Sequence, residues 1–275
     1  LEHSPAIDAG GQMTGRLTTE QADFFRKQGY LSIDEPVLSE DSFAALRVHF
    51  EELLDRWTGA GGSPEHMDVP HFEHPSLFRW LFDDGVLDIV ESVIGPDIAL
   101  WSSHFISKPA REGKRVPWHE DSAYWGAVLD PMEVVTVWLA IDPSTAANGC
   151  MRVIPGSHVN GYSNYEAVAD PSKEVFSREI VASDFDESQA VDLVLRPNTC
   201  SLHDAKLIHG SHANQGVDRR CGYTMRYMPT HVKFQPQVRE GRQAAHQVYL
   251  ARGKDHAGNT YGDPSKVNEA WMAFG

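Results

Sequence analysis

The chain has 275 residues, 41% hydrophobic and 23% charged, which is ordinary globular usage at a length that can bury a sizeable core. Its 24 basic against 39 acidic residues give a net charge of −15, which repels a phosphate backbone and speaks against nucleic acid as a partner. No apolar run approaches the ~20 residues of a membrane helix, and three scattered cysteines (Cys150, Cys200, Cys221) fit free thiols in a reducing cytoplasm, not a disulfide framework.

Residues 1–15 are polar, carry Pro and Gly, and lack a basic start followed by an apolar stretch; they read as a flexible lead-in, not a signal peptide. Residues 16–275 read as a single domain with a helical part at 16–97, a β-rich core at 98–232 and an extension at 233–275. A helix opens at Leu17-Thr18-Thr19-Glu20-Gln21, a capping pattern, and stops at Gly29. Residues 30–37 alternate enough for a short strand. Ser39 opens a second helix, with Phe43, Leu46, Phe50, Leu53 and Leu54 at helical spacing. Residues 77–93 supply one or two more helical segments, ended by Gly95-Pro96. From Ile98 the texture changes to short runs split by Gly, Pro, Asn and Asp, at 99–107, 134–141, 151–154, 191–195, 200–203 and 221–228, with a long connection at 160–189. Helices first and short strands later predict an α+β, mainly β protein, with helices buttressing an antiparallel sandwich or barrel. The polar, mixed sequence after Gln235 points to no element.

The sharpest local feature is Pro117-Trp118-His119-Glu120-Asp121. A His and an Asp two apart on a strand point to one face and can reach one ion. A third ligand from a distant strand would complete a two-histidine, one-carboxylate triad, which leaves coordination positions open and suits non-haem iron(II) oxygenases. His-x-Asp alone is weak, since chance pairs are common. His209 is the candidate third ligand, 90 residues further on, where the apolar pair Leu207-Ile208 runs into Gly210 and a strand would end. Arg220 follows 11 residues later. A dicarboxylate co-substrate that chelates iron at one end needs a fixed cation at the other, and Arg supplies a planar, bidentate one. Ser211 can donate a second hydrogen bond to the same group. Arg219 is the rival anchor, but in an extended segment it points to the opposite face.

From about Ile98 to Met228 the chain resembles the phytanoyl-CoA dioxygenase family of iron(II)/2-oxoglutarate oxygenases. The resemblance lies in Phe105-Ile106-Ser107-Lys108-Pro109, Trp118-His119-Glu120-Asp121, Val137-Trp138-Leu139-Ala140-Ile141-Asp142, Asn148-Gly149-Cys150, Val153-Ile154-Pro155-Gly156-Ser157-His158 and His209-Gly210-Ser211. It implies a double-stranded β-helix, or jelly roll. It implies iron(II) on His119, Asp121 and His209, with Arg220 and Ser211 on the far carboxylate of 2-oxoglutarate, Trp138 beside that co-substrate and His104 as a looser neighbour. It further implies O2 consumption, with release of succinate and CO2. Related halogenases replace the metal carboxylate with a small residue; Asp121 is present here, which favours oxygenation.

Around this set, Tyr124 and Trp125 read either as packing at the barrel mouth or as a substrate-pocket wall. Lys108, Arg111, Lys114 and Arg115 read as a solvated basic loop, or as a contact for an anionic substrate group. Arg226, on the strand after Arg220, can face the cavity. His203 and His212 flank His209 and read as supporting or surface groups. The expected reaction is hydroxylation of a small metabolite. Desaturation, cyclisation or epimerisation by the same cofactors stays open, as does a cupin-type metalloenzyme or binding module that ignores 2-oxoglutarate. Monomer and homodimer are equally open.

Overall fold

Alternation along the strands separates the two sides of the main sheet. In Arg220–Pro229, the residues Cys221, Tyr223, Met225 and Tyr227 join a core under the helices, while Arg220, Thr224 and Arg226 line a cavity on the other face. In Val135–Ala140, Val135, Val137 and Leu139 face the helices, whereas Trp138 and Ala140 pack between the sheets. The computed structural model describes residues 17–126, 128–236 and 245–272, with the backbone of 238–239 and 242–243. The expected lead-in at 1–15 lies outside the described residues.

The main sheet is antiparallel, in the order Tyr30–Ile33, Cys200–Asp204, Val135–Ala140, Arg220–Pro229, Ile98–Lys108 and Tyr249–Arg252, with Met67–Asp68 also pairing to Ile98–Lys108. A second sheet runs Val191–Leu193, Met151–Val153, His209–Ser211 and Val116–His119. In chain order the strands from Ile98 onward step repeatedly from one sheet to the other. Two antiparallel sheets wound this way form a jelly roll.

The helices cover the outer face of the main sheet. Thr18 caps Thr19–Gln28 in a capping box, and Gly29 ends it in the left-handed region at φ 76°. Ser39 caps Glu40–Gly59, which buries Leu46, Phe50 and Leu53 on one stripe. Burial of each such side chain is worth roughly 1.5–3 kcal/mol relative to exposure. Phe78–Leu81 and Asp84–Ile94 supply the remaining helical cover, with Val86, Leu87, Ile89 and Val90 buried. Among the described residues, no helix is long and apolar enough to cross a membrane.

Several details differ from expectation. The strand expected at 30–37 is only Tyr30–Ile33. The 160–189 connection holds a hairpin of Tyr165–Ala167 with Arg178–Ile180. The C-terminal extension, where the sequence points to no element, supplies Tyr249–Arg252 as an edge of the main sheet. The strand bearing His119 ends at that residue, and Asp121 has helical backbone at φ −55°, ψ −38°, leading into the short helix Ser122–Trp125. His209 begins a strand, and does not end one.

Candidate metal centre and its two cavities

His119 and His209 are cross-strand partners at the edge of the second sheet, with ring centroids 4.1 Å apart. In each ring Nδ1–H donates to a backbone carbonyl two residues back, Pro117 at 2.8 Å and Leu207 at 2.9 Å. That assigns the lone pair in both rings to Nε2, the state a metal ligand needs. The turn after His119 brings Asp121 beside them, and one potential ligand atom from each of the three residues lies within 4.8 Å of the others. All three are buried.

Burial lowers the proton affinity of both imidazoles. Burial also opposes charge on Asp121, but Arg226 and the neighbouring imidazoles outweigh it and hold the carboxyl well below the usual range. Two neutral imidazoles and one carboxylate, all buried, suit a dication better than they suit one another. Asp121 Oδ2, His203 Nδ1, Arg220 Nε and Arg226 Nε find no hydrogen-bond partner among the described residues. Buried polar atoms are satisfied in the great majority of native interiors, so this concentration marks a ligand site.

The centre separates two cavities that share His104, Asp121, Phe176 and Arg226. The smaller, of about 60 Å³, lies between the sheets and is lined by His119, His209, His104, Trp138, Ser211 and Arg220 among others. The Arg220 guanidinium sits 4.7 Å from the Trp138 ring centroid, and burial pushes its pKa down to about 10. Gly222 makes that packing possible, because an added Cβ there would run into the Trp138 ring. The larger cavity, of about 400 Å³, is lined by Tyr124, Trp125, Trp101, Phe234 and His246 among others. Its wall includes Val69 in the left-handed region at φ 42°, a strained state for a β-branched residue.

The structure thus brings His119, Asp121 and His209 together, puts Arg220, Ser211 and Trp138 on one side, and puts Tyr124 and Trp125 on the other, with His104 and Arg226 reaching both. Lys108 differs from expectation. It is no loop residue and lines neither cavity. It ends Ile98–Lys108 opposite Arg220, fully buried, with Nζ donating to Ser211 Oγ at 2.7 Å and to the His212 carbonyl at 2.6 Å. Burial, and then the charge of Arg220, push its pKa down to about 6. Of the other basic residues, Arg115 pairs with Glu174 and Glu179. Arg219 points away, onto Glu51 and Asp142. His203 is buried in the smaller cavity, 3.8 Å from Asp121 Oδ2. Residue-by-residue reading missed Gly222, Phe176, Trp101, Phe234 and His246. Strand alternation offered a signal for Gly222; the other four come from segments with no shared pattern.

Fold and site together define a jelly roll that carries a buried two-histidine, one-carboxylate cluster between two cavities. The profile of the phytanoyl-CoA dioxygenase family (PhyH) matches residues 25–222. A phytanoyl-CoA dioxygenase of Arabidopsis thaliana is 26% identical over 259 residues, covering 78% of this chain and 89% of that protein. Among solved structures, the non-haem monooxygenase ThoJ in its apo form superposes with a TM-score of 0.72 at 26% identity, covering 92% of this chain and 93% of ThoJ. SnoK, a non-haem 2-oxoglutarate-dependent carbocyclase of nogalamycin biosynthesis, shares the fold with a TM-score of 0.66 at 23% identity, covering 82% of this chain and 89% of SnoK. The chain belongs to the phytanoyl-CoA dioxygenase family. It is an enzyme of the iron- and 2-oxoglutarate-dependent dioxygenase class.

Proposed function

We propose that the enzyme holds iron(II) with His119 Nε2, His209 Nε2 and the Asp121 carboxylate, and hydroxylates a C–H bond of a small metabolite. 2-Oxoglutarate occupies the smaller cavity, with its far carboxylate on Arg220 and on Ser211, which Lys108 Nζ holds from behind, and the metabolite occupies the larger one. The carrying observation is the pair of Nδ1–H to carbonyl bonds, which turn two Nε2 lone pairs toward one buried carboxylate. When bound, iron supplies dioxygen activation, with 2-oxoglutarate as the reductant and succinate and CO2 as its products.

The chain's own groups do the rest. Arg220 offers a planar fork to a carboxylate, and the Trp138 face holds that fork still. His104 Nε2–H donates to the Glu65 carbonyl at 3.0 Å, which ties the segment around Glu65 to the main sheet beside both cavities. The rings of Phe176 and Tyr124 pack 5.6 Å apart beside His119 and restrict water there. Residues 16–275 act as one catalytic unit in this reading, because Tyr30–Ile33 and Tyr249–Arg252 belong to the same sheet as the pocket strands. The buried, unpaired Cys150, Cys200 and Cys221 support a reducing cytoplasm as the setting.

The test is succinate release that requires both iron and 2-oxoglutarate, with a product one oxygen heavier than the substrate. His119→Ala or Asp121→Ala should lower turnover by more than about a hundredfold, the scale already reached when a ligand's outer partner is lost. Succinate release that survives either substitution would sink the assignment. A product lighter by two hydrogens would reassign the outcome to desaturation or ring closure at the same centre.

A further inference from the structure

The larger cavity narrows the substrate class. Arg226 is nine-tenths buried and faces both cavities. Its guanidinium has five N–H donors, yet Nε has no hydrogen-bond partner among the described residues, and Nη1 reaches Ser102 Oγ only at 3.3 Å. Among the described residues its one carboxylate within 4.0 Å is Asp121, at 3.5 Å, too long for a good charge-assisted hydrogen bond. In the reading above, Asp121 also serves a dication, so most of its charge is committed. A buried guanidinium with unspent donors is costly unless an acceptor meets it.

The walls around Arg226 are aromatic. Trp125 lies against the guanidinium at 5.1 Å. Trp101 packs edge-on to Trp125 at 6.0 Å, and it contacts Phe234 at 5.5 Å and His246 at 4.2 Å. Tilted rings of this kind present faces and edges to a flat guest. A volume of about 400 Å³ sits at the lower end of small-molecule sites, roughly 300–1,000 Å³. Asp68 is exposed at the cavity, where it weighs against a multiply phosphorylated tail more than against one carboxylate held deep inside.

We infer that the substrate is a small planar ring acid whose carboxylate is received by Arg226 and whose ring lies among Trp101, Trp125 and Phe234. This rests on the proposed function in two respects: Asp121 is taken as a metal ligand, and the larger cavity as the substrate cavity.

The experiment reads binding, not turnover. The whole enzyme is loaded with zinc(II) and 2-oxoglutarate, and binding is followed by calorimetry and by quenching of tryptophan fluorescence. The probes are 2-naphthoate, indole-3-acetate and cinnamate, their primary amides, and cyclohexanecarboxylate. The best ring acid should bind about tenfold or more tighter than its own amide and than cyclohexanecarboxylate, the scale of one charge-assisted contact. Arg226→Met should erase the preference of acid over amide, Arg226→Lys should keep part of it, and Trp125→Leu should reduce the preference for a ring while leaving that for the acid. An amide that binds as tightly as its acid, an acid preference that survives Arg226→Met, or no binding by any ring acid overturns the inference. The wild-type comparison needs no variant, so a substitution that fails to fold leaves it standing. The visible charge-transfer band of anaerobic iron(II) with 2-oxoglutarate is recorded in parallel. Its absence from the wild type would sink the proposed function, while its presence without acid preference would sink only this inference.

Discussion

The two cavities meet at Asp121 and are built in different ways. The smaller one is made largely by the strand ladder: Lys108 is opposite Arg220, Thr224 is opposite both His104 and Trp138, and Trp138 is opposite Ser201. Its shape follows from register, and a slip of one residue would turn every one of these side chains to the helix side. The larger cavity draws on the helix Ser122–Trp125 and on Phe234 and His246 from the C-terminal region. Connections can change without disturbing a ladder. In the proposed reading, the co-substrate end is therefore the part of the site set by the ladder, and the substrate end is the part in which one member of the fold can differ from another.

The comparison breaks first at Arg220. Removing one partner of a buried charge pair costs roughly 2–5 kcal/mol, about thirtyfold or more in affinity. Arg220→Ala should therefore weaken 2-oxoglutarate about a hundredfold, measured as apparent affinity in succinate release. Ring-acid binding in the larger cavity should change little. An unchanged 2-oxoglutarate affinity would mean that the anchor lies elsewhere and that the ladder does not define the pocket.

Lys108 sharpens the same contrast with a pH signature. With its pKa pushed down to about 6 by burial and by Arg220, it is mostly neutral near pH 7.5. A dianion held by Arg220 and Ser211, the latter bonded to Nζ, raises that pKa, so binding takes up a proton and weakens as pH rises above about 6. Calorimetry in two buffers of different ionisation heat should detect the uptake in the wild type and not in Lys108→Met, whose affinity near pH 6 should fall about tenfold. Between about 6 and its ordinary 10.5 the unfolded lysine binds a proton that the folded one lacks, so this group costs stability as pH falls through that window. Equal heats in both buffers would remove Lys108 from the co-substrate end.

How much of this was legible depended on the same division. The helix starts at Thr18 and Ser39 follow from side chains that satisfy helix N–H groups locally, and the strands near 99–107 and 221–228 follow from alternation. The resemblance assigned Trp138 to the co-substrate, and its matching stretches contain Lys108 and Trp138 of the ladder but not His104, Ser201, Arg220 or Thr224. Asp121 was singled out for a different geometry from the one found. It reaches the centre through a helical turn, not as the second in-facing residue of a strand, because Val116–His119 stops one residue after Trp118. Lys108 read as a loop residue because lysine is usually exposed, which hid a fully buried strand end where Ser211 and a carbonyl accept from Nζ. Phe234 and His246 were unreadable as walls, since only tertiary packing brings the C-terminal region back over Trp101.

The smallest expected effect concerns the neighbour of Arg220. Arg219 donates to Glu51 at 2.6 and 2.8 Å and to Asp142 at 2.7 and 3.1 Å, with its guanidinium 5.2 Å from the centroid of the Phe50 ring. It ties the helix Glu40–Gly59 to the outer face of the main sheet, the side opposite the pocket. The pairs are partly exposed, so the loss in Arg219→Ala is on the order of 1 kcal/mol, or a thermal midpoint lower by about 2–4 °C in a chain of this size. Affinity for 2-oxoglutarate should stay at the wild-type value. Adjacent arginines would then report separately on the two faces of the main sheet, stability from the first and co-substrate capture from the second. If Arg219→Ala instead weakened 2-oxoglutarate as Arg220→Ala is expected to, the segment would not alternate as drawn, and the register that defines the smaller cavity would be wrong.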